Sequence, residues 1–282
     1  MRFQQTKDRL QGCNKQLPIL KGVTLLLLSF PLCAFAQFAG TNSLAEVQTA
    51  LQSQFAEAEV RFVLENPSPT EYVKKYAKFE PLTAQDLELM QNYAGLFAEE
   101  WAKYPPDWLK FTELTEVVFV KDLFVVSHHR AAMPDPEGRA LYLDITYFNN
   151  SQTYTRKTIH HEFYHLIEIA LNGKMFYRDR KWRKINDRDF EYGEGGAAAY
   201  SDPAYRRTEH PLPGFVSAYA TYAVEEDKAE VFAYLMSDHL HPKLMQWVTE
   251  DEILNEKVEK MLEDIEDEDT SFGRNHITGL HR

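Results

Sequence analysis

The amino-acid sequence predicts an α+β fold, with a small sheet near the middle of the chain and helices on both sides of it. Residues 115–127 and 139–148 are rich in β-branched and aromatic residues, which favour strands. Residues 43–64, 83–104 and 152–172 place apolar residues at helical spacing. With 282 residues, 44% of them hydrophobic, the chain is long enough for one large domain or two lobes that share a cleft.

The first 36 residues have the layout of a signal peptide. Basic residues precede the apolar run GVTLLLLSFPLCAFA, and Ala34-Phe35-Ala36 forms an A-x-A cleavage site before Gln37. The run contains Pro31 and is shorter than the roughly 20 residues of a spanning helix. We therefore expect an exported, periplasmic or secreted protein without a membrane span in its mature chain. Both cysteines fall in the removed segment, so the mature chain would have no disulfide.

The composition argues against a nucleic-acid partner. The chain carries 31 Lys and Arg against 43 Asp and Glu, a formal net charge of −12 at pH 7. Removal of the basic leader makes the mature chain more acidic still. Because such a surface repels phosphate backbones, we expect no binding to DNA or RNA.

The region before the sheet, residues 37–110, is predicted to be helical. A first helix begins behind Ser43, which can cap it, and continues to about Leu64. A short helix follows at residues 71–78. The next helix begins at Thr83, with Asp86 three residues later as in a capping box, and stops at Pro105-Pro106.

Residues 111–282 are predicted to form the second region. The strands at 115–127 and 139–148 are expected to be neighbours in the sheet, separated by the turn-forming PDPEG. Asn172-Gly173 ends the helix that begins at residue 152. The remaining predicted elements are an irregular segment at 174–214, helices at 223–237 and 250–264, and a frayed acidic tail, EDIEDEDT.

The sequence HHEFYH at residues 160–165 contains the HExxH pattern. On a helix, His161 and His165 project from one face one turn apart, so each can direct an imidazole nitrogen at the same zinc ion. Glu162 lies beside the first histidine, where its carboxylate can accept a proton from a metal-bound water. Position 164 is Tyr, so His160 has no partner four residues on and is excluded as a ligand.

A third ligand must come from elsewhere in the chain. The HExxHxxGxxH pattern of metzincins is absent, because residues 166–171 read LIEIAL. The stretch YAVEEDKAEVFAYL offers four acids: Glu225, Glu226, Asp227 and Glu230. Glu226 and Glu230 share a helix face at i, i+4, and this pair suits one ligand and one supporting acid.

The stretch SAYATYAVEEDKAEVFAYLM resembles the second half of the site in lethal-factor-type and Pro-Pro-endopeptidase-type metalloproteases, which are gluzincins. Similar segments occur in other bacterial HExxH proteins. The resemblance covers about residues 160–166 and 214–236. It implies a zincin-like fold, with a small mixed sheet packed on the active-site helix and a mainly helical C-terminal lobe. It also implies zinc and peptidase activity.

The resemblance assigns the individual roles. It implies that Glu226 is the third zinc ligand, that Glu230 supports a ligand, and that Tyr219 donates to the developing oxyanion. Tyr222 is the rival donor, nearer the helix that carries Glu226. The strand ALYLDITY is implied to be the edge strand that pairs with an extended substrate.

The chain departs from the families that it resembles at two points. Tyr164 stands where a small residue is common, and the interval between His165 and Glu226 is longer than in the Pro-Pro-cleaving group. Substrate preference therefore does not transfer. The extra length coincides with the irregular segment, which could wall or occlude the cleft.

The sequence thus predicts an exported zinc metallopeptidase with one Zn²⁺ per chain, acting on a protein or peptide substrate. A non-catalytic, zinc-containing binding protein of the cell envelope is the alternative. The oligomeric state is not predicted.

Overall fold

The computed structural model describes residues 37–203, 210–266 and 270–282. The predicted signal peptide and its two cysteines lie outside these residues. The helices are α1 (Leu44–Gln54), α2 (Glu71–Tyr76), α3 (Leu87–Trp101), α4 (Pro106–Phe111), α5 (Gln152–Asn172), α6 (Arg180–Arg183), α7 (Val224–Met236), α8 (His241–Trp247), α9 (Glu252–Glu266) and α10 (Arg274–Leu280). The strands are β1 (Arg61–Val63), β2 (Ala77–Glu80), β3 (Glu116–Val125), β4 (His128–His129), β5 (Ala132–Asp135) and β6 (Ala140–Asp144).

The fold is α+β, as predicted, and its sheet is mixed. The strand order is β1-β3-β6-β5, with β2 and β4 paired to the second half of β3. β3 runs parallel to both β1 and β6, whereas β5 is antiparallel to β6. The predicted neighbours β3 and β6 therefore do lie side by side. The PDPEG turn joins β5 to β6 and not β3 to β6.

The N-terminal region contains strands that the helical prediction missed. Ser43 caps α1 as expected by accepting the backbone N–H of Glu46. The prediction that this helix continues to Leu64 is wrong, because Arg61–Val63 pairs with Glu116–Val118 of β3. With β1 and β2 both in the sheet, residues 37–110 share one sheet and core with the rest of the chain.

Helix α5 has the bounds that the sequence predicts. Ser151 caps its first turn, and Gly173 ends it with a left-handed φ of 75°. Its apolar side packs on one face of the sheet, where Phe163 and Ile167 share a core with Val117 and Leu141. The opposite face of the sheet has a smaller core around Val118 and Tyr142, among other residues. This packing holds α5 across the sheet, with α7 beside it.

The C-terminal residues form a mainly helical region around α7. Helix α8 was not predicted, and α9 ends two residues later than expected. Of the acidic tail EDIEDEDT, residues 263–266 continue α9, and residues 267–269 lie outside the described residues. Ser271 donates to Asp107, Phe272 is buried, and α10 packs beside α9. None of the described helices is long and apolar enough to cross a bilayer.

Candidate metal centre

The two motif histidines face the same side of α5. They lie one helical turn apart, and their ring centroids are 5.2 Å from each other, with the ring planes at 80°. Both His161 and His165 are 5% exposed. The helix therefore presents two nearly buried imidazoles to whatever packs against this face.

The first turn of α7 brings Glu226 to this face. Its Oε2 atom lies 3.1 Å from Nε2 of His161 and 3.7 Å from Nε2 of His165. Donor atoms of all three residues lie within 4.8 Å of one another, and all three side chains are buried. The structure thus joins the predicted ligands, which are distant in sequence, into one cluster.

Charges in the cluster strongly favour a cation. Burial alone would lower the pKa of His161, but the carboxylates of Glu226 and Glu230 raise it to about 10. The pKa of His165 is raised in the same way by Glu226. Burial would raise the pKa of the Glu226 carboxyl, but the two imidazoles hold it far below its usual value. The carboxylates therefore stabilise positive charge on the two imidazoles.

Glu230 lies one turn after Glu226 and faces the other nitrogen of His161. Its Oε1 atom is 2.9 Å from His161 Nδ1. Lys157 lies 2.7 Å from the same oxygen, and the Ser217 hydroxyl donates to Oε2 at 2.6 Å. These partners hold the carboxylate ionised despite its burial, with a pKa of about 2.

The two residues predicted to do chemistry border the cluster. Burial raises the pKa of Glu162, while the charges of His161 and His165 oppose that rise. The ring of Tyr219 lies 5.8 Å from the ring of His161. Burial and the charge of Glu226 raise the pKa of Tyr219 well above 10, so its phenol is a neutral donor.

Tyr222, the rival donor, points elsewhere. Its hydroxyl donates to Oδ2 of Asp202, in the segment that follows α6. Tyr219 and Tyr222 are the first and last residues of one 3₁₀ turn, but their rings have different neighbours: His161 for Tyr219 and Gly193 for Tyr222. The structure therefore brings Tyr219, and not Tyr222, to the histidine cluster.

His160 belongs to a separate buried network. Its Nδ1 atom lies 2.6 Å from the Tyr104 hydroxyl, and its Nε2 atom lies 2.8 Å from the Glu100 carboxylate. Lys103 and Arg156 also pair with Glu100. This network ties α5 to α3 and occupies both ring nitrogens of His160, which therefore lies outside the cluster of His161, His165 and Glu226.

The irregular segment walls the cluster. Backbone N–H groups of Gly193 and Gly195 donate to the carbonyl oxygens of Thr221 and Tyr222. A methyl group built on Gly196 would overlap Oε1 of Glu226 and lie 2.6 Å from the Tyr219 hydroxyl. The backbone at Gly196 therefore approaches the carboxylate and the phenol more closely than any side chain would allow.

Four residues near the site escaped the sequence analysis. Lys157 and Ser217 orient Glu230, Gly196 packs against Glu226, and the charge of Arg130 acts on both Glu162 and Tyr219. Lys157 is four residues before His161 on α5, a spacing that could have indicated it. Arg130 carries no such signal, because it reaches the site from the connection between β4 and β5.

The cluster fits a zinc ion. Two imidazole nitrogens and one carboxylate are the three protein ligands of many catalytic zinc sites, which leave one position for water or substrate. The buried, negatively charged surroundings of the imidazoles also suit a divalent cation. A carboxylate against the second nitrogen of a ligand histidine is the usual support in such sites.

Comparison with known proteins agrees with this fit. Residues 137–269 match the model of a family described as "Putative zinc-binding metallo-peptidase", and the match includes the residues of the cluster. A crystal structure from Bacteroides caccae with the same description superposes with a TM-score of 0.52 at 14% identity. The superposition covers 83% of this chain and 91% of that chain. Among curated proteins, no sequence matches.

These comparisons support a relationship to zinc-binding metallopeptidases. At 14% identity, the solved structure shows the shared fold and not a shared activity. The finer resemblance to lethal-factor-type and Pro-Pro-endopeptidase-type enzymes stays a prediction.

Proposed function

We propose that this chain is an exported zinc-dependent metallopeptidase that hydrolyses peptide bonds in a protein or peptide substrate. One observation carries the proposal. The donor atoms of His161, His165 and Glu226 lie within 4.8 Å of one another, with Glu162 beside the first histidine and Tyr219 against its ring. Zinc, when bound there, acts as a Lewis acid that polarises the substrate carbonyl and makes water a nucleophile at neutral pH.

Each residue of the site has its own role in binding zinc or in the reaction. His161, His165 and Glu226 bind one zinc ion per chain, and Glu230 orients His161. Glu162 takes a proton from the attacking water and later delivers it to the amine that leaves. Tyr219 donates its phenolic proton in a hydrogen bond to the carbonyl oxygen as negative charge develops there.

An edge strand of the sheet was expected to pair with an extended substrate, but all four residues of the observed edge strand, β5, are buried. The sequence assigned this role to β6, but β6 lies between β3 and β5, so that assignment is wrong. β5 is at the edge instead. The N–H of Asp144 donates to Ala131, and in an antiparallel ladder only every second residue pair is hydrogen-bonded. The backbone N–H and C=O positions of Ala132 and Pro134 therefore point away from β6. Pro134 therefore removes no hydrogen bond from the sheet.

Metal analysis and peptide cleavage test the proposal. The purified protein should contain about one zinc per chain, and Glu226→Ala should lose it. Glu225→Gln is the matched control, because Glu225 precedes Glu226 directly and yet lies outside the ligand cluster. Glu162→Gln should keep zinc and lose cleavage of a broad peptide library.

Two outcomes would reject the proposal in different ways. Zinc retained in Glu226→Ala would reject the ligand assignment. Full zinc with no cleavage by the wild-type protein would favour the alternative of a non-catalytic zinc-containing binding protein.

A further inference from the structure

A recess lies at the C-terminal end of α5, beyond the metal centre. Its volume is about 550 Å³, and it is bounded by the end of α5, the residues around α6, and α9. Four cationic side chains line it: Arg178, Arg180, Lys181 and Lys260. Asn172 and Tyr177 add polar groups between them. We call this recess the cationic cavity.

The cavity has more positive charge than its own acids compensate. Asp264 pairs with Lys260 at 2.8 Å. Asp179 accepts the backbone N–H groups of Lys181 and Trp182 and faces Lys228. Among the described residues, no carboxylate lies within ion-pair distance of the exposed side chains of Arg178, Arg180 or Lys181. These three cations remain available to an anionic ligand.

The cations stand on an anchored piece of chain. Trp182 is fully buried, and its indole N–H donates to Oδ2 of Asp227 at 2.8 Å. Lys257 pairs with the same carboxylate. The cavity wall is thereby fastened to α7 and α9, so the cations are held near one another before any ligand arrives.

The cavity is close to the metal centre. Asn172 follows His165 by seven residues on α5, a rise of about 10 Å along the helix axis. From the other side, Asp179 faces Lys228, two residues after Glu226. The buried pair of Lys228 and Glu168 lies directly between the two sites, so the peptide must pass over it; at about 3.3 Å per residue, three or four extended residues match the rise along α5.

We propose that the cationic cavity binds an acidic side chain of the peptide substrate, three or four residues from the bond that is cut. This inference rests on the proposed peptidase function and adds a substrate class to it. A guanidinium group recognises a carboxylate through two parallel hydrogen bonds, and Arg178 and Arg180 each offer one such fork. The chain as a whole is acidic, with a net charge of −12, and therefore repels anionic ligands. The cationic cavity is a local exception that attracts them.

Cleavage of paired peptides tests the specificity. The two peptides of each pair differ at one position near the cleaved bond, where one has Glu and the other Gln. At one position, three or four residues from the bond and on one side of it, Glu should raise kcat/KM about tenfold. The combined substitutions Arg178→Gln, Arg180→Gln and Lys181→Gln should remove that difference. Their side chains are exposed, so the fold should be kept, as an unchanged melting curve would verify.

The matched control is Lys184→Gln with Arg188→Gln. Both residues are exposed cations on the same segment, but neither lines the cavity. The control should keep the preference for Glu, since it changes the net charge without touching the recess. Cleavage with no preference for an acidic residue, or the same loss in the control, would overturn the cavity proposal and leave the peptidase function standing.

Binding tests the cavity without catalysis. Zinc-loaded Glu162→Gln protein should bind a fluorescein-labelled, glutamate-rich peptide and not its glutamine counterpart, with an affinity that falls as salt rises. The triple substitution should abolish this binding. Specific binding without cleavage by the wild type would sink the peptidase function but keep the cavity as an acidic-peptide site. Binding of phosphatidylglycerol vesicles or of inorganic phosphate alone, with no binding of the peptide, would overturn the proposed ligand.

Discussion

The Nδ1 atom of His161 lies 2.9 Å from Oε1 of Glu230, which is almost completely buried. Lys157 and Ser217 hold the same carboxylate in place. This arrangement turns the opposite nitrogen of His161 towards Glu226. A residue outside the cluster thus faces the nitrogen of His161 that points away from Glu226.

Glu230→Gln should lower the affinity for zinc by about 10- to 100-fold, because the amide supports the imidazole less well than the carboxylate does. A competitive titration against a coloured chelator measures the affinity. Glu225→Gln, a half-buried acid on the same helix, is the control and should bind zinc as the wild type does. An unchanged affinity in Glu230→Gln would show that Glu230 does not orient His161.

Tyr219→Phe should reduce kcat by about 100-fold with a much smaller change in KM, because the phenol contacts the substrate oxygen mainly in the transition state. Tyr222→Phe is the matched control, since its hydroxyl is engaged by Asp202 and its ring lies outside the cluster. Steady-state kinetics on a cleavable peptide give both constants. A loss of kcat in Tyr222→Phe but not in Tyr219→Phe would assign the donor to Tyr222.

Gly196→Ala should damage the metal centre, because a methyl group at this position would collide with the Glu226 carboxylate. Displacement of a ligand by about 1 Å should cost on the order of a hundredfold in kcat/KM. Gly279→Ala serves as the control, since a methyl group there would meet nothing within 4 Å. Zinc content, kcat/KM and the melting temperature are measured together. Full activity in Gly196→Ala would mean that the segment is free to move aside.

The Asp86 carboxylate gives a pH-dependent contribution to stability. Burial would raise its pKa, but hydrogen bonds from Lys121 and Thr83 lower it below 3.8. Since the folded-state pKa is depressed, the stabilisation is complete above the unfolded-state pKa and is lost as pH falls through the folded-state pKa.

Asp86→Asn should therefore reduce the free energy of unfolding by at most about 1 kcal/mol at pH 7, the upper end of the usual range for an ion pair near the surface. The difference from wild type should shrink towards zero as pH falls below about 4. Urea unfolding of both proteins at several pH values measures it. A difference that stays constant down to pH 2 would contradict the assigned role of the charge.

Local chemistry made several elements predictable. Thr83 and Asp86 form the capping box that their spacing indicates, and Gly173 ends α5 because glycine readily adopts its left-handed backbone conformation. The bounds of α5 follow from such signals and from one long apolar stripe. These features depend on residues within a few positions of each other.

Other elements depend on partners distant in the sequence. The sequence of β1 continues the helical spacing of the residues before it. It nevertheless forms a strand, because Arg61–Val63 pairs with β3. Ser271 and Phe272, which follow the acidic tail, find partners in Asp107 and Trp108. A single sequence carries no direct signal for such pairings.

The sequence by itself determined that His161 and His165 share a helix face with Glu162 beside them, since the helical repeat sets that geometry locally. The tertiary structure decided that Glu226 meets both histidines, that Tyr219 and not Tyr222 lies beside His161, and that Gly196 packs against Glu226 and Tyr219. The reason is physical. These contacts arise where α5 packs against α7 and where the intervening segment folds back, and both depend on burial summed over the whole core.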